Sequence, residues 1–211
     1  QYNKDRRIPS YPVAHEYPLT TLAALAAHPT RTLRILDFGG AMGHDFLAVA
    51  ASLPENQPLD YVVVELPEIV EKAKTIFPSD TRITFTNSLP NEAHTFDIVH
   101  TASALHYCED WKGTLQDLAL LSNKYFSLCD IPAGSIPTFV SLQNFYGSKF
   151  RHWFWNIDEF LLAMNKIEDM SIVHFQRYEG PFLGKVGPMP MENFPPEYRV
   201  GNSCNFILRR K

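Results

Sequence analysis

The sequence predicts an α/β fold: a mostly parallel sheet with helices on both faces. Three observations carry this. Strand and helix patterns alternate over the first 130 residues. The segment Tyr61-Val62-Val63-Val64-Glu65 opens with four apolar residues in a row, as a strand covered on both faces does. A glycine-rich turn, Gly39-Gly40-Ala41-Met42-Gly43, directly follows the first strand and opens a helix. Right-handed crossovers leave few topologies for such a chain. Ligands in these sheets bind beyond the carboxyl ends of the strands, where strand order reverses.

Residues 1–18 are rich in Pro, Tyr and charge and read as an arm, followed by a short helix over Leu19–His28 with Thr20 as its cap. Leu33–Phe38 is the first strand, and Asp45–Leu53 carries helical apolar spacing. After the second strand, Pro67 opens a helix at its first turn and the pattern runs to Phe77. Arg82–Thr86 and Phe96–Thr101 are the third and fourth strands, Trp111–Leu121 a helix, and Lys124–Asp130 the fifth strand. Residues 131–155 hold Pro, Gly and seven aromatics without a clean period, so they read as an aromatic insert or lid. A helix over Asn156–Ile167 has Asp158 and Glu159 in its first turn, complementing its dipole. Met170–Tyr178 and Cys204–Arg210 are late strands around a Pro/Gly-rich stretch, 180–201. No internal repeat is present, and a single domain spans residues 1–211.

With 45% hydrophobic and 20% charged residues the composition is that of a soluble globular domain. A net charge of −4 gives no general affinity for nucleic acid. No apolar run reaches the roughly 18 residues that a membrane helix needs. Nor has the N-terminus the apolar core of a secretion signal. Cys108, Cys129 and Cys204 are odd in number and lack paired spacing, so they read as buried thiols of a cytoplasmic protein. No CxxC or nearby Cys/His pair supports a metal site.

The chemistry concentrates at Asp37-Phe38-Gly39-Gly40-Ala41-Met42-Gly43. Read structurally, this is a tight strand–helix turn; read functionally, its glycines let a ligand approach the backbone. The dinucleotide fingerprint G-x-G-x-x-G fails in both registers: from Gly39 the later positions are Ala41 and His44, from Gly40 they are Met42 and Asp45. Asp45 also puts a carboxylate where a pyrophosphate needs positive potential. S-adenosylmethionine (SAM) has no phosphate, and its amino group needs acceptors, which Asp37 and the carbonyls around Gly39 supply. Glu65 ends the second strand roughly 20 residues beyond the turn, where a carboxylate accepts both ribose hydroxyls; otherwise it is a surface Glu. NAD would use the same carboxylate, so the glycine register separates the two cofactors. Asn87-Ser88 follows the third strand, where an adenine edge would lie, or is a polar turn. Thr101-Ala102-Ser103 ends the fourth strand and would run beneath the methionine moiety.

These residues resemble the class I SAM-dependent methyltransferases. Asp37-x-Gly39-x-Ala41-x-Gly43 is similar to their first motif with Ala in place of the middle glycine. Glu65, Asn87-Ser88 and Phe96-Asp97-Ile98-Val99 resemble the next three. The resemblance covers residues 32–130 and, through the late strands, implies a Rossmann-like, seven-stranded sheet with an antiparallel last strand. More narrowly, Leu36-Asp37-Phe38-Gly39-Gly40, Val63-Val64-Glu65-Leu66-Pro67 and Asp130-Ile131-Pro132 resemble a bacterial methyltransferase family found with surface-polysaccharide genes. That likeness implies a sugar or glycan acceptor. The expected cofactor contacts are Asp37, Gly39, Gly40, Ala41, Gly43, Glu65, Leu66, Asn87, Ser88, Ala102 and Ser103.

A sugar hydroxyl is a weak nucleophile until a base takes its proton. The candidates past the strand ends are His106, Asp130 and His152, each of which also has an ordinary reading as a packing, cap or turn residue. Phe139, Phe145, Tyr146, Phe150, Trp153, Phe154 and Trp155 form either a stacking wall for an acceptor or a cap packed on the sheet. The leading expectation is an O-methyltransferase acting on a sugar or glycan precursor. Three alternatives stay open: an N- or small-metabolite methyltransferase, a non-catalytic SAM-binding scaffold, and a nucleotide-sugar or NAD enzyme.

Overall fold

The computed structural model describes residues 16–145, 147–182 and 185–211. The α-helices among the described residues are α1 (Leu19–Ala26), α2 (His44–Ser52), α3 (Pro67–Ala73), α4 (Trp111–Leu121) and α5 (Ile157–Asn165). The strands of the main sheet are β1 (Leu33–Phe38), β2 (Leu59–Val64), β3 (Ile83–Thr86), β4 (Phe96–Ala102), β5 (Ser122–Ile131), β9 (Met170–Tyr178) and β12 (Ser203–Arg210). Between them lie β6 (Ala133–Gly134), β7 (Phe139–Phe145), β8 (Ser148–Asn156), β10 (Pro181–Phe182) and β11 (Lys185–Val186).

The main sheet has seven strands in the order β3-β2-β1-β4-β5-β12-β9. β3, β2, β1, β4 and β5 are mutually parallel. β12 runs antiparallel to both β5 and β9. The chain leaves β1 to build β2 and β3 on one side, then crosses to build β4 on the other. Strand order therefore reverses between β1 and β4, and the crevice beyond their carboxyl ends is where this fold places a ligand.

Period-two alternation sends successive side chains to opposite faces. Leu36 and Val99 join one core with Leu115, Trp155 and Phe206. Ile35, Tyr61 and Ile98 join the other with Leu19 and Phe46. The same alternation puts Asp37 and His100, two residues beyond Ile35 and Ile98, on the face that α2 covers. They are direct register partners across the β1–β4 pair.

The sequence-based boundaries need four corrections. Pro18, not Thr20, occupies the N-cap of α1, no side chain caps that end, and the helix stops at Ala26 rather than His28. α3 stops at Ala73, yet Phe77 still packs against Phe46 and Phe85, with ring centroids 5.5 and 6.0 Å apart; tertiary packing explains its helical-looking spacing. α5 ends at Asn165 rather than Ile167, its N-cap Asn156 accepting from the N–H groups of Asp158 and Glu159. The aromatic segment 131–155 is no irregular loop: β7 and β8 pair as an antiparallel hairpin, and β8 also pairs with β6. Its alternation is hidden because aromatics stand on both faces of β8, with Phe154 buried beside Ile136 and Met191 and Trp155 buried in the main core.

Candidate active site

The crook after β1 is built by backbone geometry. Gly39 has φ +75°, and its N–H donates to Val64 O at 2.9 Å. A Cβ at Gly39 would collide with Ala104 Cβ, and one at Gly40 would strike the Asp37 carboxylate. Gly43, at φ +80°, donates its N–H to Gly40 O at 3.0 Å and starts α2. Ala41, where the resembling family has its middle glycine, is also left-handed at φ +47°, a conformation that costs an L-residue roughly 1–2 kcal/mol.

Glu65 stands just past β2, its N–H bonded to Thr86 O at 2.9 Å. Its Oε1 accepts the Ala41 N–H at 3.2 Å, and its Oε2 accepts the Leu66 N–H at 2.7 Å. The carboxylate thus lies at the mouth of the glycine turn, and each oxygen keeps a second lone pair. Leu66 is exposed beside it. Asn87 and Ser88 follow β3; Ser88 N–H reaches Thr86 Oγ1 at 3.4 Å, and Asn87 lines a cleft of about 200 Å³ against Pro67, Val70 and Lys74 of the α3 side.

The floor of the crook is polar and buried. Asp37 accepts a hydrogen bond from the Tyr61 hydroxyl at 2.8 Å. Burial, more than its charged neighbours, pushes its carboxyl up to about 6. His100, wholly buried, has Nδ1 3.1 Å from Ser127 Oγ. Its Nε2 points at Asp45 Oδ2, 3.6 Å away, and has no hydrogen-bond partner among the described residues. Burial raises the Asp45 carboxyl, but His100 outweighs it and the net shift is downward.

Ala102 closes β4, and Ser103 follows with φ +52°. Ser103 Oγ donates to Asp130 Oδ2 at 2.5 Å, and Ser203 Oγ donates to Asp130 Oδ1 at 2.5 Å. Asp130 is itself left-handed at φ +52°, with its N–H donated to Asn205 Oδ1 at 2.9 Å. Tyr17 lies 3.2 Å from Ser103 Oγ through its hydroxyl, and its ring packs on His100 and Tyr178. Burial pushes the Tyr17 hydroxyl well above its ordinary value.

His106 sits in a 3₁₀ turn, Leu105–Tyr107, and its ring stacks on His152 of β8 at 4.2 Å. Burial, and to a lesser degree His152, hold His106 well below 6.5; burial brings His152 down to about 4. Both imidazoles are therefore neutral near pH 7. His152 lines a cleft of about 340 Å³ between the β7–β8 hairpin and residues 189–194, with Gln143, Asn144, Phe154, Met191 and Asn193. Tyr107 ties the turn to the hairpin by donating to Gln143 Oε1 at 2.9 Å.

Of the three candidate bases, the structure brings His106 and His152 together and leaves Asp130 hydrogen-bonded to serines instead of a histidine. The proposed aromatic wall is dispersed. Phe154 lines the cleft, Trp155 packs on Trp111 in the core, Phe139 stacks on Phe154, and Phe150 is exposed. Tyr146 lies outside the described residues, as do residues 1–15 of the expected arm. Cys129 and Cys204 are buried thiols, while Cys108 is only half-buried. Sequence reasoning missed His100, Tyr17 and Ser203. Only His100 carried a signal, as an imidazole in the otherwise apolar run Ile98-Val99-His100. No helix among the described residues is long and apolar enough to cross a membrane.

No family model matches the chain, and no curated protein matches it. Solved structures do. A candidate SAM-dependent methyltransferase of Listeria monocytogenes is 12% identical with a TM-score of 0.63, covering 90% of this chain and 95% of that one. A SAM-dependent methyltransferase of Methanosarcina mazei is 14% identical with a TM-score of 0.62, covering 93% and 99%. The magnesium protoporphyrin IX methyltransferase of Synechocystis, solved with bound S-adenosylhomocysteine, is 14% identical with a TM-score of 0.51, covering 85% and 75%. With this strand order and these likenesses, the chain has the Rossmann-like fold of the class I methyltransferases.

Proposed function

We propose that this protein is a SAM-dependent methyltransferase that O-methylates a sugar or glycan precursor. The observation that carries the cofactor reading is the placement of Glu65 against the glycine turn, with its carboxylate at Ala41 N–H. The crook also fits the group chemically: its glycines stand where side chains would collide, and its floor offers carboxylates and a buried unpartnered imidazole nitrogen rather than cations for a pyrophosphate.

In this reading Glu65 holds the ribose hydroxyls, Asn87 and Ser88 flank the adenine beside Leu66, and Asp37 with the Gly39–Gly40 backbone receives the amino-acid end. Ala102 and Ser103 border the methionine chain. When bound, the cofactor supplies an electrophilic methyl on a sulfonium, and the protein's main task is to align the acceptor oxygen with it. The 340 Å³ cleft at His152 is large enough for a small acceptor. Its amides, Gln143, Asn144 and Asn193, suit hydroxyl groups, and Phe154 suits a ring face. That polar lining favours a hydroxylated acceptor.

His152, neutral and at the cleft, is the base best placed to take the proton. A weak base suffices, because the acceptor hydroxyl becomes strongly acidic as its oxygen gains the methyl. His106 supports the ring by stacking. Asp130, with each oxygen accepting from a serine hydroxyl, positions Ser103 beside the crook. The reading is tested by calorimetric titration with SAM and S-adenosylhomocysteine, followed by product-mass assay against sugars and activated sugars. Binding followed by a gain of about 14 daltons on a sugar, CH₃ in place of the hydroxyl H, is the expected result. Binding with no product on any acceptor favours the scaffold reading, and tighter binding of NAD than of SAM overturns the cofactor.

A further inference from the structure

The cleft of about 340 Å³ at His152 is built without charge: among the described residues no Asp, Glu, Lys or Arg lines it. Its polar groups are the amides of Gln143, Asn144 and Asn193, the Ser141 hydroxyl and the His152 ring. Burial keeps that imidazole, and the His106 ring stacked on it, unprotonated near pH 7.

The charged side chains of the surrounding elements are engaged elsewhere. Period-two alternation sends Lys149 and Arg151 to the face of β8 opposite His152, and Arg151 pairs with Glu109 at 2.9 Å. Arg199 braces the segment 189–194 through its backbone: its Nε donates to Phe194 O at 2.7 Å and its Nη2 to Glu192 O at 3.0 Å.

The rest of the lining is largely apolar. Phe154 stacks on Phe139 at 4.8 Å and on His152 at 4.4 Å, and Met191 is buried in one cluster with Phe154. Tyr107 donates its hydroxyl to Gln143 Oε1, which leaves the amide N–H groups of Gln143 as donors. The cleft thus offers a ring face together with neutral hydrogen-bonding groups. A hydroxyl that enters exchanges water for these amides at little cost. A carboxylate or phosphate gives up far stronger hydration and meets no countercharge, and neutral N–H donors offset only part of that loss.

We infer that this cleft selects an uncharged acceptor: a neutral glycoside enters it, and the uronic acid or phosphate ester of the same sugar is rejected. This deepens the methyltransferase reading and rests on it for the role of the cleft as acceptor site. A nucleotide-activated sugar is thereby the poorer substrate.

The test reads binding separately from turnover. Protein saturated with S-adenosylhomocysteine is titrated calorimetrically with methyl glucoside, methyl galactoside and methyl mannoside. Each is compared with its forms oxidised to the uronic acid or phosphorylated at the primary hydroxyl. At least one neutral glycoside is expected to bind, with its two anionic forms weaker by about tenfold or more. N144K and N193K each place a cation at an exposed position of the lining. Both are expected to tighten the anionic forms severalfold while the neutral form gains nothing. An anionic form that binds the wild type as tightly as its neutral parent overturns the inference and leaves the methyltransferase reading standing. So does absence of binding by every glycoside. If neither lysine variant narrows the gap, the discrimination arises outside this cleft and the inference falls. Neutral glycosides that bind selectively but gain no methyl once SAM replaces S-adenosylhomocysteine uphold the selectivity of the cleft and overturn methyl transfer to sugars instead. Absence of S-adenosylhomocysteine binding overturns the SAM reading itself, and this inference with it.

Discussion

Glu65 and Ala41 meet across the crook: the Ala41 N–H donates to Glu65 Oε1 at 3.2 Å, linking the end of β2 to the turn after β1. If that carboxylate grips the ribose, E65Q keeps the shape and loses the charge. Charge-assisted hydrogen bonds contribute about 1.5–3 kcal/mol each. E65Q is therefore expected to weaken S-adenosylhomocysteine about tenfold to a hundredfold, with little change in Tm. Calorimetry showing unaltered affinity would remove Glu65 from the site.

Gly39 is fixed by two independent constraints, its positive φ and the contact with Ala104. Alanine there must adopt a left-handed backbone and displace Ala104. A loss of about 2 kcal/mol or more is expected from the backbone alone with the clash added. For a chain of this length that corresponds to roughly 4–8 °C in Tm. Thermal unfolding of G39A within 1 °C of the wild type would show that the turn is more plastic than its geometry implies.

Asp37 makes stability depend on pH, and the sign is set by its raised carboxyl. It titrates near 3.8 unfolded and about 6 folded. Between these values the folded state holds a proton that the unfolded chain has lost, so stability falls as pH rises from about 4 to 6. Above 6 the penalty is on the order of 3 kcal/mol. D37N lacks it. The Tm difference, D37N minus wild type, should therefore be more positive at pH 8 than at pH 4 by several degrees. The same difference at both pH values would mean that burial of Asp37 is compensated.

His152 sets a different pH signature. A base must be unprotonated to act, and burial brings this imidazole to about 4. Methyl transfer should stay level from pH 8 down to about 5 and fall only nearer 4, with H152Q reducing kcat more than it changes cofactor affinity. A rate halved near 6.5 would point to an ordinary solvent-exposed histidine instead.

Much of the fold was legible because local pattern and tertiary demand agree there. β1 falls on the residues its apolar run marks, Leu33–Phe38, and α4 on Trp111–Leu121. The glycine turn was readable because the backbone itself requires glycine at Gly39 and Gly43, and Glu65 because it directly follows the apolar run of β2. The β7–β8 hairpin was not, since Trp153 and Trp155 pack toward the main core while His152 and Phe154 line the cleft; both faces of the turn-distal residues of β8 are covered and the alternation vanishes there. The α3 pattern ran on past Ala73 because Phe77 packs with the helix's own core without being helical.

What the sequence determined by itself is the alternation of strand and helix, the crook after β1 and the acid at the end of β2. Each is dictated by residues close in the chain, through backbone conformation and burial period. Tertiary structure alone decided which polar groups face each other: Ser203 on Asp130 across 73 residues, His106 on His152, and His100 beside Asp37 and Asp45. Those meetings depend on strand order and register, and no local property of Asp45, His100 or Ser203 encodes its partner.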